Sequence, residues 1–291
     1  MNNICKSFLS LLFIVTASSL RASGDVPVVV TSVWLKENIK NPDIVILQVS
    51  TIRRDYDNGH IPGARFLWPG WLTESTPDET NVPVATDLIV KKLEDLGVTN
   101  KSHLILCGIY GNVITVCRVF VTLEHIGLAG RVSLLNGGLE DWQESGGEVT
   151  TALTHYKSGK LSSIEQKNMV DADWMVANLK NSDFCYIDVR AKSYYEGSTG
   201  TPRKGHIPGA VNLPSSDFYD GKTNKFYPPE KLNDMFSSLK MEKGTRPVFY
   251  CHIGNMGSAG YVAARIAEFE PLLYDGSFED WGSRFDLPLE K

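Results

Sequence analysis

Pro247-Val248-Phe249-Tyr250-Cys251-His252-Ile253-Gly254-Asn255-Met256-Gly257-Ser258-Ala259 joins two different periodicities through a short loop. Val248, Phe249 and Tyr250 form an apolar β-branched and aromatic run, the pattern of a buried strand. Ala259, Val262, Ala263, Ile266 and Ala267 then recur at helical spacing. Cys251 therefore falls at the end of a strand, facing the start of a helix. Unpaired N–H groups and the positive helix terminus attract an anion there, and a glycine-containing loop can turn successive amides inward as a nest. A thiol in that place is expected to ionise readily, since such positions lower its pKa from about 8.5 to roughly 3.5–7.5. The alternative is a small buried hydrophobe, the common role of a lone cysteine.

Working outward, the surroundings of this loop occur twice. Gly-His-Ile-Pro-Gly-Ala stands at 59–64 and again at 205–210, and Glu-Asp-Trp at 140–142 and again at 279–281. Between them the order of elements repeats. Strand-like runs at Ile44–Val49, Leu104–Cys107 and Val132–Leu135 answer to Cys185–Arg190, Val248–Tyr250 and the run before Tyr274. Helical patterns lie at Leu88–Leu96, Thr115–His125 and Leu232–Leu239, with a cap expected at Thr31 or Ser32. Strands alternating with helices predict an α/β fold of two tandem domains, each a parallel sheet with helices on both faces. The expected divisions are an export signal at 1–23, a first domain at 27–150, a linker at 151–166 and a second domain at 167–291. Ligands of such sheets sit beyond the carboxyl ends of the strands, where Cys251 falls.

A formal charge of −5 and a pI near 5.7 give no basic footprint, and nucleic acid is excluded as a partner. Lys6, the apolar stretch Phe8–Ala17 and the small residues that follow match an export signal too short to span a membrane. This predicts a periplasmic or extracellular protein without stable membrane insertion. Cys107, Cys117, Cys185 and Cys251 remain after the signal. They are dispersed, and a chain of this size needs no staples, so free thiols are expected. No metal site and no cofactor are predicted, because the Cys and His residues lack ligand spacing.

The paired hexapeptides, the Asp188-Val189-Arg190 strand end, the loop Cys251–Gly257 and the close Tyr274-Asp275-Gly276-Ser277-Phe278-Glu279-Asp280-Trp281 together resemble the rhodanese family of sulfurtransferases in its tandem two-domain form. The resemblance covers roughly residues 27–287 and implies that only the C-terminal domain is catalytic. Matching Gly111-Asn112 to Gly254-Asn255 sets Gly108 opposite Cys251, and strand alternation turns Cys107 the other way. The first domain is then an inactive partner that walls one side of the site. Two departures bear on the donor. Thiosulfate-specific members carry basic residues after the cysteine and a hydroxyl near the loop's end, where this chain has His252, Ile253 and Met256. Mercaptopyruvate-specific members carry Gly after the cysteine and a second arginine, where this chain has His252 and Tyr194.

The resemblance implies transfer of a sulfane sulfur, from a donor such as thiosulfate to cyanide or a thiol, through a persulfide on Cys251. The partners are a small-molecule donor and a thiophilic acceptor, and a sulfur carrier or redox sensor without turnover is the alternative. Arg190 is expected to grip an anionic donor bidentately, or else to pair with Asp188. His252 is expected to support the thiolate when protonated or to accept a proton, or else to be a solvated loop residue, and Ile253, Gly254, Asn255, Met256 and Gly257 to line the donor's seat through their amides. His60, His206, Asp275 and Trp281 read as structural. A phosphatase or arsenate reductase would need an arginine closing the loop, and 257 and 258 are Gly and Ser.

Overall fold

The computed structural model describes residues 27–291 apart from 78, 201, 202, 240, 242 and 243. The expected export signal lies outside the described residues. Two five-stranded parallel sheets carry the chain. In the first, the strands run in the order Val29–Val30, Val132–Leu135, His103–Cys107, Ile44–Val49, Arg65–Leu67. In the second the order is Met169–Val170, Leu272–Tyr274, Arg246–Tyr250, Phe184–Asp188, Val211–Asn212. The two orders correspond strand for strand, as the sequence repeat requires.

Matching local devices open and close the two halves. Thr31 and Asp171 each cap a helix by accepting from the N–H of Trp34 and Trp174, at 3.1 and 2.8 Å, an interaction worth about 1 kcal/mol. His60 and His206 each sit in an antiparallel bridge, to Thr150 and Glu290. Each imidazole stacks on a tyrosine, Tyr56 or Tyr195, with 3.8 Å between ring centroids. The histidines of the hexapeptides are thus held structurally, at the place where the end of each domain returns to its sheet.

The alternation within each strand sorts side chains to two faces. Ile46, Ile105, Cys107 and Leu135 pack with Trp142 on the outer face of the first sheet; Tyr186, Val248, Tyr250 and Trp281 do so in the second. The inner faces share one apolar core that runs through both domains. At its centre the helix Val113–Leu123 packs against the helix Asn255–Ile266, bringing Val116, Cys117 and Phe120 together with Ala259, Val262 and Ala263. The helix Asn255–Ile266, which follows Cys251, is therefore clamped between its own sheet and the other domain.

Several boundaries differ from the periodicity. The strand expected over Cys185–Arg190 is Phe184–Asp188, because Arg190 N–H turns back to the Asp188 carboxylate at 2.9 Å. The helix expected over Thr115–His125 is Val113–Leu123, continued by a wide turn over Glu124–Leu128 that ends through Gly127 at φ +96°. The two Glu-Asp-Trp segments are helical, within Gly138–Glu144 and Ser277–Ser283. All four described cysteines are free. Among the described residues, no helix is long and apolar enough to cross a membrane.

Candidate active site

Cys251 follows directly on the strand Arg246–Tyr250, and the next helix starts at Asn255. Gly254 caps that helix at φ +78°, a left-handed conformation that glycine adopts without strain. A β-carbon there would also lie 2.8 Å from the Asp275 carbonyl oxygen. Gly257 is needed for space: its β-carbon would meet Leu273 at 2.7 Å. With both glycines in place, the N–H groups of Ile253, Met256 and Gly257 converge on the cysteine sulfur. The nest read from the loop is present.

A second segment braces it. Ser277 Oγ accepts from the N–H of Cys251 at 3.1 Å and of Gly254 at 3.0 Å, and donates to the Tyr274 carbonyl at 2.9 Å. The carbonyls of Cys251 and His252 accept from the N–H groups of Phe278 and Glu279, at 3.0 and 2.9 Å. Ser277 itself is held at φ +53°, rare for a residue with a side chain. Ser277 and Phe278 escaped the sequence reading. Their signal was a difference between the repeats: aligned on Glu-Asp-Trp, Ser277 faces Gly138, in the half that lacks the cysteine.

The ionisation expected of Cys251 needs correction. The side chain has no exposed surface, and this burial pushes the thiol up. The N–H groups of Gly257, Ile253 and Met256, with the Ser277 hydroxyl, pull the other way without cancelling it. Desolvation of a thiolate opposes the nest, and in the closed loop desolvation is the larger effect. Cys107 and Cys117 are pushed up by burial as well, and Cys185 reaches about 11.

Arg190 is also placed differently. Its Nε lies 3.0 and 3.1 Å from the two Asp188 oxygens, and Nη2 donates to Asp188 at 2.6 Å and to the Gly205 carbonyl at 2.8 Å. Both side chains are buried. The guanidinium thus forms the ion pair with Asp188, and its charge is balanced before any ligand arrives. It lies 3.9 Å from the centroid of the Phe278 ring. His252, half-buried, meets Tyr194 edge-on at 4.5 Å. Burial first, and Arg190 second, hold its imidazole below the ordinary value, so the protonated form proposed to support the thiolate is disfavoured near neutrality.

The first domain reaches the loop from the other side. The hairpin of Thr73–Glu74 and Val82–Pro83 brings Asn81 Nδ2 to Asn255 Oδ1 at 2.8 Å. Thr80 donates its N–H and hydroxyl to Glu279 at 2.8 and 2.9 Å. Arg118, buried in the helix Val113–Leu123, donates to the Asp275 carboxylate and to the Asn81 carbonyl. Asp275, read from sequence as a turn residue, is thus one side of an ion pair between domains.

The first domain's own loop shows why it carries no nucleophile. Gly108 holds the place of Cys251, and the Leu139 N–H donates to its carbonyl at 2.9 Å as Phe278 does to that of Cys251. Here, however, Asn112 folds into the nest: its Oδ1 accepts from Ile109 N–H and its Nδ2 donates to the Val49 carbonyl, both at 2.9 Å. A β-carbon on Gly108 would lie 2.6 Å from Asn112 Oδ1. Only about 30 Å³ remains, space for little more than a water.

Both halves of the chain are similar to known proteins. The model of the rhodanese-like domain matches residues 31–145 and again 171–284. The chain is 26% identical to the sulfur carrier protein TtuD of Thermus thermophilus over 91% of its own length and 96% of that protein's. It is 26% identical to the 3-mercaptopyruvate sulfurtransferase of Escherichia coli K12, over 88% and 95%. Among solved structures, SseA from Escherichia coli, a 3-mercaptopyruvate sulfotransferase, superposes with a TM-score of 0.75 at 23% identity, covering 87% of this chain and 99% of that one. Wild-type EanB gives 0.80 at 20%, covering 91% and 69%. With two matched domains in one order of strands, and the cysteine loop kept in the second alone, this chain belongs to the rhodanese family as a tandem two-domain member.

Proposed function

We propose that this protein is a sulfurtransferase that moves a sulfane sulfur from a small donor such as thiosulfate to a thiophilic acceptor, cyanide or a thiol, through a persulfide on Cys251. The observation that carries the reading is the convergence of three loop amides on the sulfur of Cys251. That arrangement holds a terminal persulfide anion without a metal. The Cys251 thiolate attacks the outer sulfur of thiosulfate; the new S–S bond forms as the old one breaks, and sulfite leaves with the electron pair. The acceptor then attacks the terminal sulfur and returns the thiolate. The names of the relatives, a sulfur carrier and a sulfurtransferase, support the chemistry and leave two readings of its purpose.

Intact-mass measurement after thiosulfate tests the proposal. One added sulfur is expected, lost again on adding cyanide with release of thiocyanate. Cys251→Ser should take up none while keeping its fold by circular dichroism, and Cys107→Ser and Cys117→Ser should load normally. Loading of the Cys251→Ser variant would overturn the mechanism. Loading without multiple turnovers would identify a carrier. The N-terminal pattern supports export, and a mature N-terminus found at Met1 would refute it.

A further inference from the structure

Beside the cysteine loop lies a cavity of about 350 Å³ lined, among the described residues, by Arg190, Tyr194, Thr199, Gly200, His252 and Phe278. Two of these flank the nucleophile directly: His252 follows it, and Phe278 donates its N–H to the Cys251 carbonyl. The lining offers little charge. Arg190 is matched by the buried Asp188, and Tyr194, Thr199 and Phe278 are neutral side chains. What remains to meet an anion is the loop amides and a helix terminus, equivalent to about half a positive charge. That complements one negative charge and leaves a second unmatched.

The walls present rings instead. Tyr194 and His252 meet at 82°, edge against face, and Phe278 has the Arg190 guanidinium over its ring. A flat aromatic body entering here gains ring contacts that a bare oxyanion does not. Tyr194 stands on the short helix Lys192–Tyr195, set apart from the cysteine loop it faces.

Building on the sulfurtransferase reading, we propose that this cavity seats the organic part of the donor. It selects aromatic, singly charged sulfane donors of the arylthiosulfonate class over thiosulfate, with Tyr194 as the specificity-determining contact. The transfer balances as before: the Cys251 thiolate bonds to the donor's outer sulfur, the sulfur–sulfur bond of the donor breaks, and the arylsulfinate leaves with the electron pair, so two negative charges enter and two remain.

Binding without chemistry separates this inference from the proposed activity. In the Cys251→Ser variant, calorimetry with benzenesulfonate, methanesulfonate and sulfate reads the cavity alone. Benzenesulfonate is expected to bind about tenfold more tightly than methanesulfonate, the range of one aromatic contact plus buried ring area, and sulfate more weakly than either. Adding Tyr194→Ala should shrink the benzene-to-methane ratio to below about threefold while leaving methanesulfonate unchanged. Tyr194→Phe should keep the ratio, which guards against a folding defect. Equal affinity for the two organic sulfonates, or a ratio indifferent to Tyr194→Ala, would overturn the inference. Failure of the sulfurtransferase reading would show separately, as absence of sulfur loading on native Cys251 with every donor.

Discussion

Ser277 joins the two segments that form the cysteine loop, since one hydroxyl accepts from two loop amides and donates to Tyr274. Removing it leaves two buried N–H groups without that acceptor, a loss of about 1–3 kcal/mol. Ser277→Ala should therefore lower stability by that order and slow persulfide formation about tenfold, as the loop amides lose their aim. Ser277→Gly makes a sharper comparison, because glycine relieves the φ of +53° while still lacking the hydroxyl. If the glycine variant recovers stability and remains slow, the hydroxyl acts on the loop; full recovery of rate would show that it does not. The thiol itself has a pH signature. Its reactive form is the anion, and burial raises the folded pKa, so the rate of persulfide formation should fall as pH drops and have its midpoint above the ordinary thiol value of about 8.5. Stopped-flow loading with thiosulfate at several pH values measures it. A midpoint near neutrality would mean that the amides outweigh desolvation.

At the scale of elements, each domain extends a hairpin over the other domain's loop. Asn81, beside the hairpin strand Val82–Pro83, reaches Asn255; in the opposite direction Phe226 N–H donates to Asn136 Oδ1 at 2.8 Å, and Lys225 pairs with Asp141. The two loops nevertheless differ in one respect that decides their chemistry. In the second the nest points at a sulfur, and in the first it is filled by Asn112. Gly108→Cys should accordingly fail to create a second sulfur-loading site, because Asn112 Oδ1, which the new β-carbon would crowd, already takes the Ile109 N–H that a thiolate there would need. Intact mass of the Gly108→Cys, Cys251→Ser double variant after thiosulfate should show no added sulfur, and a gain of one would overturn this account. Arg118 links the helix Val113–Leu123 to the second domain through Asp275. Arg118→Met leaves that carboxylate, only 16% exposed, without its cation. The cost should be about 3 kcal/mol or more in denaturant unfolding.

For the whole molecule, the apolar core that crosses between the sheets implies that the domains unfold together. Val116 and Phe120 lose their cover if the Asn255–Ile266 helix leaves, and Val262 and Ala263 lose theirs in turn. Scanning calorimetry should give a single cooperative transition, and two resolved transitions would show that the interface is weaker than its burial. The duplication, the strand–helix alternation and the position of Cys251 were legible in the sequence. They rest on local periodicity and on repeated words such as Gly-His-Ile-Pro-Gly-Ala, which a chain carries without regard to its partners. The lack of a cysteine at the matching place in the first domain was legible too, from Gly108 alone, although the blocking side chain of Asn112 was not. The state of Arg190, the neutral His252, the brace from Ser277 and the Arg118–Asp275 pair depended on residues brought together from distant parts of the chain. So did the raised pKa of the thiol: a loop sequence specifies which amides face the sulfur, whereas only the packed structure decides how much water is left beside it. Sequence determined the loop cysteine and its cradle; tertiary packing decided their electrostatics, because desolvation and charge pairing are set by neighbours that lie close in space and far along the chain.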